Sequence, residues 1–495
     1  MSMVSARTYR FLRPIHKYAG LLAALWLLVM GITGVMLDHH EWRWLNQNSV
    51  PAEWTSERVG RLVPGTVIRH IAVEDQRIFG ASERGAWFSD DGKSWSPVDF
   101  EGISGQPQTN GIAQLGEGFA GAYLATDDGI WRLGPDGRSA TRAGLEGRHL
   151  TALSEGHGDG TLLAVEEKSA LVAYDLASER AREIDISANV SGLSPTMPLH
   201  RFVMDIHFGR ALLPGNWSIW LNDLGGVALA VLSITGIGYW YITRRGRRRG
   251  MTMKTQRGIM RWMFRGHAPV IGLLGLIPIL YISLSAFPMN HIYGFLDWAQ
   301  GREISRASLP AAYQAVTFDH EIDGAVAWPD DPDRISLATR FGVLETRDGG
   351  KSWASDISIP LEPGAPGANL FRIGDTVFAA FGGGDNFART SGSDEWQPLA
   401  GTTRALTGGA RDGEALYLKN SQAIYRGDSL SAEFADTGID FASAAPGTPL
   451  FLYIVDIHVG LIFHDEFKWA NDLFAALALL LALSGPVMWL RRKWI

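Results

Sequence analysis

Histidines stand at matching places in two halves of this chain, and their spacing points to metal-centred chemistry. His16 opens one apolar run and His267 opens another. His40 follows His16 by 24 residues, and His291 follows His267 by the same count. The run Asp205-Ile206-His207-Phe208-Gly209 recurs as Asp456-Ile457-His458-Val459-Gly460. The 495 residues include 13 His and no Cys. Disulfides, cysteine-held iron–sulfur clusters and thioether-linked haem are thereby excluded. Six of the His form three pairs at the ends of apolar runs, where an ionisable side chain is a functional candidate. Two neutral imidazoles on different helices can hold the iron of a b-type haem. His39 and His464 lack an evident counterpart, and His70, His157 and His320 lie in polar sequence.

Four apolar runs must carry these histidines. Residues 18–37, 219–242, 268–287 and 473–490 are each long enough to cross the roughly 30 Å of a bilayer core. Arg7, Arg10, Arg13 and Lys17 precede the first run. Nine Lys and Arg with no acid occupy 243–265, and Arg491, Arg492 and Lys493 follow the last run. By the positive-inside rule these sixteen cations face the cytoplasm, and both long polar stretches lie on the far side. The first run lacks a cleavage-site pattern and reads as a retained anchor. The far side then carries 29 cations against all 52 acids, a net charge near −23. That charge suits solubility or a cationic partner.

The halves share one plan of helix, outer domain, Asp-Ile-His and helix, which implies a pseudo-twofold axis along the membrane normal. The expected boundaries are an N-terminus and first span over 1–40, then an outer half-domain over 41–205. An interfacial segment and second span follow over 206–243, then a basic cytoplasmic loop over 244–265. The third span covers 266–291, the second outer half-domain 292–455, and the last segment, span and tail 456–495. The overall expectation is a four-helix transmembrane bundle of two pseudo-symmetric pairs plus an all-β, β-propeller-like periplasmic domain.

The outer stretches carry turn motifs. Thr346-Arg-Asp-Gly-Gly-Lys-Ser-Trp353 is a full Asp-box, S/T-x-D-x-G-x-S/T-W. Residues 88–95 match it except at the first position, and 126–131 and 391–396 are weaker echoes. In such a turn the Asp caps backbone N–H groups and the Trp packs between strands. Short alternating runs recur every 35–45 residues, about three per half, as propeller blades would. The simplest closure is one ring of three plus three blades, with two partial propellers as the other option. Leu370-Phe371-Arg372-Ile373 resembles the F/Y-R-I-P segment of sialidases, but Gly374 replaces the proline. A glycosidase reading rests on that short match alone.

By depth, His16 and His267 share the cytoplasmic boundary and can bracket one inner haem. Arg13, Lys17 and Arg265 stand beside them for its propionates. His207 with His458, His40 with His291, or crossed pairs of these four can bind at the outer boundary. The count is therefore two haem b groups, or three with crossed pairs. His207 with His458 is preferred, because their surroundings repeat more closely.

His16-Lys-Tyr-Ala-Gly20, the Thr33-Gly34 that ends its span, Asp-Ile-His207-Phe-Gly-Arg210 and Gly266-His267-Ala-Pro-Val-Ile-Gly272 resemble the PepSY-associated transmembrane family. That resemblance implies a di-haem electron-transfer protein of the bacterial inner membrane, similar to ferrisiderophore reductases. Its donor would be a cytoplasmic carrier or quinol, and its acceptor a periplasmic ferric chelate or redox protein. Membrane lipid is a partner and nucleic acid is not. The loop 243–265 carries no G-x-G-x-x-G and is too short for a nucleotide-binding domain, so the donor must bind from outside the chain. Here Asp-box sequence stands where the family's usual PepSY module would be. The alternatives are a haem-bearing sensor or assembly subunit whose propeller docks a protein, and a transporter with His proton relays. The second is opposed by span interiors that lack carboxylates.

Overall fold

The computed structural model describes residues 5–116, 118–245, 252–314, 316–359, 367–382 and 384–493. The chain divides into two compact units, one of residues 1–40, 199–302 and 453–495, the other of 41–198 and 303–452.

The first unit is helical. Helix α1 spans Ala6–Asp38 and begins where Ser5 Oγ accepts the Thr8 N–H at 3.1 Å. Helices α2 (Leu199–His207) and α3 (Asn216–Arg245) follow, then α4 (Met253–Arg265) and α5 (Leu276–Asn290). Helices α6 (Leu450–Val459) and α7 (Lys468–Lys493) close the order. Three helices are long and apolar enough to cross a membrane: those over 7–38, 216–245 and 465–490. Met253–Leu274 and Leu276–Asn290 together make a fourth candidate passage, bent by 62°. Exposed Leu22, Leu25, Ile277 and Leu483 dress the outside of the unit with apolar side chains, as a lipid-facing surface requires.

The bent passage differs from the uninterrupted run expected over 268–287. Its cause is local. Residues Gly266–Ile271 form a π turn in which the Gly272 N–H bonds to the His267 carbonyl, five residues back. Pro269 lies inside that turn and has no N–H to give an α-helical bond. The segment expected as a loop over 244–265 is helical from Met253, capped by Thr252 Oγ1 on the Thr255 N–H. Arg247, Arg248 and Arg249 of that segment lie outside the described residues.

Close packing of helices α1 and α3 follows from two small residues. A Cβ on Gly31 would lie 2.4 Å from the Gly226 carbonyl oxygen, so the backbones meet where both side chains are absent.

The second unit is all-β. Six sheets begin with strands β1 (His70–Glu74), β2 (Thr109–Gln114), β3 (Leu150–Glu155), β4 (Ile322–Ala327), β5 (Gly367–Ile373) and β6 (Leu406–Asp412). Each sheet runs four strands outward in an antiparallel meander. The six first strands touch in order, and β6 returns to β1. A separate buried cluster fills each of the six spaces between neighbouring sheets. The unit is thus one closed six-bladed β-propeller, three blades from each half.

Two short ribbons tie the halves. Ser49–Val50 pairs antiparallel with Thr448–Pro449, and Thr196–Pro198 with Glu303–Ser305. Val190–Ser191, parallel on the outer strand of the fourth blade, adds a third tie, while Asp99–Phe100 lies parallel on the outer strand of the second blade within the first half.

The Asp-box turns sit between third and fourth strands. Asp348 accepts from the Ser352 N–H at 2.9 Å and from Thr346 Oγ1 at 2.7 Å, and its carboxyl is held down to about 2 by those bonds and by Ser352 Oγ. In the other box Asp91, and not the Asp90 of the motif match, does this work. Asp91 accepts from the N–H groups of Lys93 and Ser94, whereas Asp90 pairs with Arg138. That turn is one residue shorter, which shifts the motif by one place. The echo at 391–396 occupies the same turn of its blade, while 126–131 spans the second-to-third strand turn. Arg372 of the sialidase-like segment is spent in the ring, donating to the Ala327 carbonyl and pairing with Glu155.

Candidate functional site

Four histidines of the helical unit make the same contact. His16 Nδ1 lies 2.7 Å from Ser484 Oγ, and His267 Nδ1 lies 2.7 Å from Thr235 Oγ1. His207 Nδ1 is 3.1 Å from Ser285 Oγ, and His458 Nδ1 is 2.8 Å from Thr33 Oγ1. Each contact joins two different helices.

The hydroxyl chemistry sets the tautomer. Thr33, Thr235 and Ser285 each donate to the carbonyl four residues back, at 2.7, 2.6 and 2.8 Å. Ser484 donates to Leu481 at 3.4 Å. A hydroxyl has one proton and two lone pairs, so an oxygen that donates to its own helix accepts from the imidazole. Nδ1 then carries the ring proton, and Nε2 keeps its lone pair. This is the outer-shell device that fixes a metal-binding imidazole.

Space for a flat group comes from the neighbouring residue. Each hydroxyl residue is followed by a small one: Gly34, Gly236, Ala286 and Gly485. A Cβ on Gly34 would lie 3.7 Å from His458 Cε1, on Gly236 3.9 Å from His267 Cε1, and on Gly485 3.6 Å from His16 Cε1. The other glycines of the spans serve helix packing, as Gly20 does against Leu481 and Gly238 against Met263.

The rings are near enough to sense each other's charge in two pairs, His16 with His267 and His207 with His458. These are the two pairings that the sequence reading prefers. Arg13, Lys17 and Arg265 are exposed near the first pair, with the Lys17 amine over the Tyr18 ring. Near the second pair Arg201 pairs with the buried Asp205 at 2.9 Å.

The third expected pair is rearranged. His291 Nε2 lies 2.7 Å from Asp472, and His39 Nε2 lies 2.9 Å from Asp223. His39, not His40, is thus the counterpart of His291. Equal spacing misleads here because of the π turn. From His16 to Thr33 is 17 residues, but from His267 to Ser285 is 18. The extra residue moves the later matches within that span by one. In both dyads the nitrogen that would face a metal is given to a carboxylate instead. Asn290 adds to the second dyad by donating to Asp472 at 2.8 Å, and beside the first Asn222 donates to Asp38 at 2.6 Å.

Sequence reasoning named the imidazoles and missed Ser484, Thr235, Ser285 and Thr33. Their signal was present as a Ser/Thr followed by Gly or Ala, once in each span. Among the described residues no group of three or more His, Asp or Glu converges as a bare-ion site.

These features define a membrane-spanning helical protein with paired interior histidines and a β-propeller inserted in two pieces. The chain belongs to the PepSY-associated TM region family, whose model matches residues 13–492. A search of curated proteins finds no match. Solved structures with a similar trace include an ancestral GH74 enzyme, at 9% identity and TM-score 0.33 over 74% of this chain and 37% of that one. YCF48 from Cyanidioschyzon merolae matches at 8% identity and TM-score 0.31, over 76% and 85% of the two chains. PorZ of Porphyromonas gingivalis matches at 9% identity and TM-score 0.31, over 75% and 38%.

Proposed function

We propose that this protein is a haem b electron conduit of the bacterial inner membrane. In this reading its four membrane passages form a bundle of two pseudo-symmetric pairs. His16 and His267 hold an inner haem, and His207 and His458 an outer one. The observation that carries the reading is the fourfold His–hydroxyl contact, which leaves four neutral imidazoles with Nε2 available, two at each end of the unit.

The bound haems would supply reversible one-electron chemistry. The chain's own residues do the rest. The hydroxyls fix each imidazole, Gly34, Gly236 and Gly485 admit a flat ring, and Arg13, Lys17 and Arg265 offer cations to propionates at the cytoplasmic boundary. The positive-inside asymmetry supports an N-terminus and C-terminus in the cytoplasm and a propeller in the periplasm. Electrons enter from a cytoplasmic carrier or quinol and leave to a periplasmic acceptor, a ferric chelate by analogy with the family.

Purified protein is expected to contain two haem b per chain in a pyridine haemochrome assay. After reduction by dithionite and removal of excess reductant, ferric siderophores should reoxidise it anaerobically. Less than one haem per chain sinks the reading. Haem that is reoxidised by a periplasmic cytochrome but by no chelate removes the reductase assignment and keeps the conduit.

A further inference from the structure

Helix α4 carries a cationic face. Lys254, Arg257, Arg261 and Arg265 follow one another at spacings of three, four and four, which places them on one side of the helix. All four are exposed, and among the described residues none has a carboxylate within ion-pair distance. Trp262 stands beside them, 75% exposed. The opposite side is already used. Gln256 donates to the Ile242 carbonyl at 2.8 Å, and the Met263 methyl fills the space over Gly238.

We propose that this face is the docking site for an acidic, soluble one-electron carrier protein with a flavin or iron–sulfur centre. The inference rests on the electron-conduit reading above. Three observations select this occupant. The helix runs straight from Arg265 into the turn that holds His267, so a carrier seated there sits at the entry to the inner pair. The segment 243–265 holds nine cations and no acid, which complements an acidic surface and would steer its approach. An exposed Trp among Arg side chains has the composition of an interface anchor. A membrane-surface helix would instead need its apolar side free for acyl chains, and here Met263 of that side is buried over Gly238 of α3. The transfer balances: an anionic flavin hydroquinone becomes the neutral semiquinone, and one ferric haem becomes ferrous.

The test uses full-length protein in nanodiscs with anaerobic, fully reduced flavodoxin, and in parallel reduced plant-type ferredoxin. Haem reduction by at least one carrier should be fast at low salt and slow steeply as salt rises. The double variant Arg257→Glu, Arg261→Glu should lose about tenfold or more of that rate and most of its salt dependence. The Arg257→Lys, Arg261→Lys variant should keep most of it. Binding of the oxidised carrier, read by surface plasmon resonance, should weaken in parallel. Haem content and reduction by dithionite should stay unchanged, which separates a docking defect from misfolding. Equal rates and equal carrier binding for wild type and the Glu variant overturn the proposal. So does wild type that neither carrier reduces although dithionite does. If the Glu variant reacts normally but no longer associates with phosphatidylglycerol vesicles, the face serves lipid and the proposal fails. Protein without haem would overturn the conduit reading, and this inference with it.

Discussion

The two units have kept the duplication of this chain unequally. In the helical unit, corresponding side chains make the same contact: Ser484 and Thr235 serve His16 and His267, and Thr33 and Ser285 serve His458 and His207. In the propeller the halves share blade count, ribbon pairing and an Asp-box turn in the first blade of each, but the turns differ in detail. One Asp-box is a residue shorter than the other, and buried Trp353 has its counterpart in a half-exposed Trp95. The difference teaches where tolerance ends. A blade needs a capped turn and a filled interface, which many sequences provide. A flat ligand shared between two imidazoles would need each ring oriented from outside, and a single shifted hydroxyl would break that.

The sharpest break of this comparison is at the rings. His16→Ala and His267→Ala should each remove the same haem, leaving about one of two per chain by haemochrome assay. If one variant keeps full haem content and an unchanged spectrum, the two are not partners. Trp353→Ala should destabilise the propeller by about 3–5 kcal/mol, because the indole is 2% exposed and packs on Phe318. Trp95→Ala should cost less, and both should keep their haem; chemical unfolding of the β signal checks them. Thr33→Val and Thr235→Val should each weaken retention of one haem by roughly 10–100-fold, the usual cost of removing an outer-shell partner. Equal loss of both haems from either variant would break the assignment of one hydroxyl to one site.

The smallest effect concerns the seam between blades six and one. Lys419 is buried there, with its amine bonded to the Asn420 carbonyl and 4.2 Å from the centre of the Phe441 ring. Burial, with Arg69 adding to it, brings its pKa from 10.5 down to about 7. The unfolded chain then binds more protons than the folded one between those values, so propeller stability should rise as pH climbs from about 7 to 10. Lys419→Met should raise the propeller Tm at pH 7 and flatten that rise. A melting series from pH 6 to 10 checks both.

The sequence by itself determined what composition and short-range pattern encode. Apolar length set the membrane passages, the cations set their basic ends, and three blades per half were legible in alternation and turn motifs. The zero cysteine count and the paired histidines set the ligand chemistry on offer. Only the tertiary structure decided which partner each histidine has. Thr33 and His458 are 425 residues apart, and His16 and Ser484 are 468 apart, so no local pattern joins them. The register of the third span was likewise hidden, because Pro269 and the π turn around it add one residue that counting along the chain cannot see. Ring closure belonged to the same class: a strand's pattern shows that it has an inner face, and only the packed clusters between all six blades show that the ring closes.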